Sequence, residues 1–154
     1  MAVLYADTSA LAKRYVLERG SAWLRGMVGL PTGNETYTVR MTTVELIAAI
    51  TRRERAGTLT PADAARARAD FRADLVTGYL VIEATDTLVA QAMTLAETHG
   101  LRGYDTVQLA AGLEVNNLYI AAGFPAILFI SADVELNIAA TAEGLAMENP
   151  NAHP

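Results

Sequence analysis

Four acidic residues stand at comparable places along this chain: Asp7, Glu45, Asp105 and Asp133. Asp7 ends the short apolar run Val3-Leu4-Tyr5, and Asp133 closely follows the apolar run 126–130. Glu45 falls in the expected first turn of the helix after a β-rich stretch at 36–41. Asp105 falls in the first turn of a helix begun by Leu101-Arg102-Gly103-Tyr104. In a parallel sheet the strand-to-helix junctions share one edge, where open α/β sheets keep their ligand crevices. If the Asp105 helix points its N-terminus to that edge, four carboxylates converge. Like charges brought together raise one another's pKa values and cost stability unless a cation neutralises them. A cluster of hard oxygen ligands with neither histidine nor cysteine selects Mg²⁺, with Mn²⁺ as the alternative.

Each acid alone also has a plainer reading. Asp at a strand-to-helix junction commonly caps the helix. Thr42-Thr-Val-Glu45 matches a capping box, and Asp105 and Asp133 lie where acids favour the helix dipole. Asp63, Asp70 and Asp74 sit among arginines on a helix, as solvated faces do. His99 reads as an ordinary helix-end residue.

The elements that must position these acids follow from periodicity and punctuation. Residues 3–5 predict a buried strand, with Thr8 or Ser9 capping the helix that starts Ala10-Leu11-Ala12. A second helix is expected over 21–30, with Trp23 as core packing, and a strand over 36–41. A helix over 43–56 closes at Gly57, and Thr60-Pro61-Ala62-Asp63 opens another that runs to 77. A strand over 79–82, a helix from Thr85-Asp86 to His99 and a helix over 103–116 come next. Residues 117–124 read as a long connection, 126–130 as a strand, 133–144 as the last helix and 145–147 as a short final strand. Strands alternating with helices imply a single-domain three-layer α/β/α sandwich around a central, mostly parallel sheet of four or five strands. The domain is expected to span 1–148, with 149–154 as a loose tail.

Composition narrows the chemistry. At 154 residues, 52% hydrophobic and 19% charged, the chain has enough apolar sequence for one sizeable core. A formal net charge of −5 excludes broad electrostatic attraction to nucleic acid, so such a partner needs a local basic patch or metal ions. The absence of cysteine excludes thiolate metal sites and cysteine nucleophiles. No leader pattern and no apolar run of membrane-spanning length is present, which predicts a cytoplasmic protein with no membrane partner.

The sequence around the four acids resembles the PIN-domain ribonucleases, and within them the VapC-type toxins of type II toxin–antitoxin pairs. Tyr5-Ala-Asp7-Thr-Ser9-Ala-Leu-Ala-Lys13 looks like the opening motif of that family, and Thr42-Thr-Val-Glu45-Leu like its second acidic motif. Leu101-Arg-Gly-Tyr-Asp105-Thr-Val-Gln-Leu-Ala110 is similar to the third. Phe129-Ile-Ser-Ala-Asp133 through Asn149-Pro150 is similar to the closing segment. The resemblance implies that Asp7, Glu45, Asp105 and Asp133 bind one or two Mg²⁺ or Mn²⁺ ions. It further implies in-line hydrolysis of an RNA phosphodiester to a 5′-phosphate and a 3′-hydroxyl, a cognate antitoxin and a homodimer. Ser9 would hydrogen-bond beside the carboxylates and hold one in place; helix capping is its equal alternative.

Contacts to RNA phosphates would come from Lys13 and Arg14 at the end of the first helix, from Arg102, and from Arg52 with Arg53 and Arg55 nearby. Basic residues near a helix C-terminus also complement its dipole. The rival readings are a non-toxin PIN-like RNA-processing or RNA-binding module and an acid-pocket phosphatase of similar fold. A phosphatase of the haloacid-dehalogenase type wants a second Asp two residues after the first, where this chain has Ser9.

Overall fold

Residues Val3–Ala6 form β1, and every one of Leu4, Tyr5 and Ala6 is fully buried. This strand is central in a computed structural model that describes residues 1–154. Strands β2 (Glu35–Val39), β3 (Leu80–Ile82), β4 (Leu128–Ile130) and β5 (Ala146–Glu148) complete the sheet in the order β3-β2-β1-β4-β5. All four pairings are parallel, with Leu4 beside Thr36 on one side and Leu128 on the other. The expected four or five mostly parallel strands are therefore five, and wholly parallel.

Because successive strand residues face opposite ways, β1 supplies two cores. Leu4 and Ala6 pack with Leu11, Leu24, Leu46 and Phe71 beneath helices α1 (Thr8–Tyr15), α2 (Ser21–Met27), α3 (Arg40–Arg55) and α4 (Pro61–Thr77). Tyr5 packs with Leu109, Phe129 and Leu136 beneath α5 (Asp86–His99), α6 (Gly103–Ala121) and α7 (Val134–Ala142). The Tyr5 and Phe129 rings stack at 5.3 Å between centroids. A Cβ at Gly112 would lie 2.5 Å from the Phe129 ring, so only glycine lets α6 settle this close to the sheet.

Several boundaries differ from expectation, each for a local reason. Helix α3 starts at Arg40 rather than at 43, so Glu45 lies in its second turn and the capping box does not form. Thr42 is buried instead, and its hydroxyl accepts from Thr38 Oγ1 at 2.8 Å. Helix α6 runs on to Ala121, through most of the stretch read as a connection. Its last turns are held by Tyr119, whose ring packs edge-on against Tyr37 and whose hydroxyl donates to Glu35 at 2.7 Å. Helix α2 is shorter than expected and stops at Met27.

The C-terminal residues are not a loose tail. Pro150–Ala152 form a 3₁₀ turn, and Pro150 is buried against Gly20, where a Cβ would meet the Pro150 carbonyl at 2.3 Å. Arg19 Nε donates to the Asn151 carbonyl at 2.7 Å. The His153 ring stacks on Trp23 at 4.3 Å, so Trp23 packs against the tail and not solely in the core. No helix is long and apolar enough to cross a membrane.

Candidate active site

Asp7 closes β1 and begins α1. Its Oδ1 accepts from the Ala10 amide at 2.9 Å, so Asp7 is itself the helix cap, correcting the expectation that Thr8 or Ser9 would serve. Ser9 Oγ donates to the same carboxylate at 2.8 Å, and Ser131 Oγ, at the end of β4, donates to its other oxygen at 2.9 Å. Ser9 also accepts from the Ala132 amide at 2.9 Å, tying the two junctions together. Only 3% of Asp7 is exposed. Burial pushes its carboxyl up to about 7, against the opposing pull of the Ala10 amide and the two serine hydroxyls, and the charge of Asp105 raises it further.

Glu45 reaches the same place from α3. It accepts from Thr8 Oγ1 at 3.1 Å and from Gln108 Nε2 at 3.1 Å. Gln108, which sequence reasoning passed over inside an apolar stretch, is the hub of this corner. Its amide nitrogen also faces Thr8 and Thr42 at 3.1 and 2.9 Å, and its carbonyl accepts from the buried Tyr5 hydroxyl at 2.7 Å. Its partners come from β1, α1 and α3. If the cleft takes up Mn²⁺, Gln108→Leu should weaken that binding by about 10- to 100-fold, as loss of an orienting partner does. It should also cost roughly 1–3 kcal/mol of stability for the stranded Tyr5 hydroxyl. Calorimetric Mn²⁺ titration beside denaturant melts checks both, and unchanged Mn²⁺ affinity would refute the hub role.

Asp133 caps α7, accepting from the Leu136 amide at 3.0 Å, while Asp105 lies in the first turn of α6. The N-cap residue of α6, Arg102, spans both acids: its Nε lies 3.2 Å from Asp105 and its Nη2 3.6 Å from Asp133. Burial and the Asp133 charge raise the Asp105 pKa, Arg102 pulls it back, and Glu135 adds a smaller upward push.

All four acids line one cleft of about 390 Å³, together with Thr8, Ser9, Lys13, Glu18, Arg53, Arg102 and Gln108. It opens at the C-terminal edge of the sheet beside β1 and β4, where the strand order turns outward. No three of these side chains stand together closely enough to hold one metal ion as they are placed. Each carboxylate is instead occupied by a hydroxyl, an amide or the Arg102 guanidinium. With five carboxylates in its lining, Glu18 beside the four acids, and neither histidine nor cysteine, the donor set fits Mg²⁺ or Mn²⁺. A larger apolar cavity of about 680 Å³ lies at the opposite edge of the sheet, with Glu35 as its one acid.

The basic candidates divide. Lys13 lines the cleft, buried, with Nζ 3.0 Å from the Arg19 carbonyl and 3.4 Å from Glu18. Arg102 lines it too, largely exposed. Arg14 does not: it pairs with Asp74 at 3.0 Å in a separate pocket, where Tyr15 also donates to Asp74 and bonds Tyr79. That removes Asp74 from the set of plain surface acids. Arg52 points away as well, beside Thr43, Val44 and Ile47 on the outer face of α3. The cleft runs along the row Glu45, Ala49, Arg53, four residues apart, so Arg53 is the basic residue of α3 that enters it. Arg53 Nη2 lies 3.0 Å from Glu18, which thus holds both Lys13 and Arg53.

No family model and no curated protein sequence matches the chain. Solved structures do. PAE2754 from Pyrobaculum aerophilum is 18% identical with a TM-score of 0.62, the match covering 98% of this chain and 85% of that one. VapC20 from Mycobacterium tuberculosis, described as a Sarcin-Ricin loop cleaving toxin, is 18% identical with a TM-score of 0.60, over 98% of this chain and 99% of that one. VapBC2 from Rickettsia felis, bound to a promoter DNA fragment, is 12% identical with a TM-score of 0.59, over 96% and 98%. The chain has the PIN-domain fold. At this level of identity the PIN fold is what the likeness carries, and the chemistry rests on the cleft.

Proposed function

We propose that the chain is a metal-dependent endoribonuclease and the toxin of a toxin–antitoxin pair. The observation that carries this reading is the convergence of Asp7, Glu45, Asp105 and Asp133 on one cleft at the sheet edge. Asp7, Glu45, Asp105 and Asp133 would hold one or two Mg²⁺ or Mn²⁺ ions. Bound there, such a cation supplies a water of lowered pKa and neutralises charge at the leaving oxygen.

The chain's own residues do the positioning. Ser9 and Ser131 fix the Asp7 carboxylate, while Thr8 and Gln108 fix Glu45. Lys13 and Arg53, held by Glu18, form a basic wall of the cleft, suited to an RNA phosphate next to the scissile bond. Water adds to phosphorus as the bond to the 3′-oxygen breaks, leaving a 5′-phosphate and a 3′-hydroxyl. The phosphatase reading finds no support, because Ser9 spends its hydroxyl on Asp7 where a second acid would be required.

The antitoxin partner is supported by a similar structure described as a toxin–antitoxin complex from Klebsiella pneumoniae. A homodimer is the companion proposal. Purified protein incubated with structured RNA should cleave it with Mg²⁺ or Mn²⁺ and stop on chelation. Cleavage that survives chelation would overturn the metal-dependent reading. Expression alone should arrest growth and a co-expressed neighbouring gene should relieve it; normal growth with active enzyme would refute the toxin role.

A further inference from the structure

The cleft contains a cation of its own. Arg102 precedes α6 by one residue, and its guanidinium lies against two carboxylates of different elements, Asp105 on α6 and Asp133 at the start of α7. A guanidinium and a divalent ion ask the same thing of such a pair, which is relief of the mutual repulsion of two nearby negative charges. Where they claim the same carboxylate oxygens, they exclude one another. The Asp105 oxygen that faces Arg102 is Oδ2, and so is that of Asp133.

We infer that Arg102 is an intramolecular counter-cation that competes with the divalent metal for Asp105 and Asp133. This rests on the metal-dependent reading above and extends it to how metal loading is controlled. Three features of the structure support it. First, the Arg102 side chain is 81% exposed, so nothing packs it in place and it can leave without disturbing the core. Second, Asp105 and Asp133 are 22% and 24% exposed, open enough for exchange of one cation for another. Third, the other two acids are satisfied without Arg102, Asp7 by two serines and Glu45 by Thr8 and Gln108. The competition is therefore local to one half of the cleft.

Two consequences follow. The resting protein offsets part of the charge of its acid pair with no metal bound. When metal takes the pair, the released guanidinium remains tethered at the cleft mouth, next to where a phosphate must approach the acids. A polyanionic substrate that captures Arg102 then favours metal binding, and by linkage metal favours substrate by the same factor.

The test is Mn²⁺ affinity of the full chain, read by titration calorimetry and by the paramagnetic resonance signal of free Mn²⁺. An exposed ion pair is weak, so R102Q should bind Mn²⁺ about two- to fivefold more tightly than the parent, and R102K should fall between them. A single-stranded DNA oligonucleotide, which presents phosphates but no 2′-hydroxyl, should tighten Mn²⁺ binding to the parent and not to R102Q. Unchanged or weaker Mn²⁺ affinity in R102Q, with normal binding by the parent, overturns the counter-cation role and leaves the nuclease reading standing. A parent protein that binds no Mn²⁺ takes down both.

Discussion

Asp7→Asn is expected to abolish the proposed RNA cleavage, by about a thousandfold or more, and to make the metal-free protein more stable at neutral pH. Loss of activity on this scale is usual when a group that holds the reacting centre is removed. The stability gain has a separate cause. In the unfolded chain an Asp carboxyl ionises near its ordinary value of about 3.9, whereas burial in the folded protein raises Asp7 to about 7. Between those values the folded state retains a proton that the unfolded state has released. Stability is therefore highest below pH 4 with respect to this group, falls as pH rises through that window, and reaches its full penalty above pH 7.

The full shift of about three units corresponds to roughly 4 kcal/mol, an upper bound because water in the cleft relieves part of it. Asn carries no charge and keeps an oxygen to accept from Ala10. We expect Asp7→Asn to gain about 2 kcal/mol at pH 8, or some 4–8 °C in Tm, and nearly nothing at pH 4. Thermal melts at both pH values, without divalent metal, measure this. A variant less stable than its parent at pH 8, or one that still cleaves RNA, would refute the reading. Mg²⁺ should stabilise the parent and leave the variant little changed, so protein that is poised for catalysis is protein held in electrostatic tension.

Phe129→Ala is expected to cost about 3–5 kcal/mol. Phe129 is fully buried on β4, stacked on Tyr5 and facing Gly112 across a contact that admits no methyl group. Truncation leaves a void that the rigid α6 backbone cannot close. Because Ser131 and Asp133 follow two and four residues later, activity should fall at temperatures where the variant is still folded. Denaturant midpoints and cleavage assays in the cold separate the two effects. A cost below about 1 kcal/mol would mean that α6 can move toward the sheet after all.

The sheet and the four acids were legible because both arise from short-range pattern. Apolar triplets such as Val3-Leu4-Tyr5 end at residues that begin helices, and parallel strands bring those junctions to one edge. What stayed hidden depends on helix phase and on buried polar pairing. Arg52 and Arg53 differ by one residue, about 100° around α3, and only the tilt of the cleft along the helix surface decides between them. The start of α3 turned on the burial of Thr42 against Thr38, which a capping-box pattern does not disclose. Gln108 looked like an ordinary polar break in an apolar helix, although all of its partners lie far off in sequence. The closing residues were misread for the same reason, since Trp23 and Gly20 meet them only in space.

The central place of β1 bears on synthesis as well as on architecture. Strand β1 is flanked on one side by β4, which lies far along the chain from it. Asp7 meets Ser131 only across that pairing, and Asp133 lies beyond it. The α1–α2 corner that carries Glu18 and Arg19 is clasped by residues 150–153. A nascent chain thus exposes acids without a cleft. The four acids share one cleft only after β4 has joined the sheet.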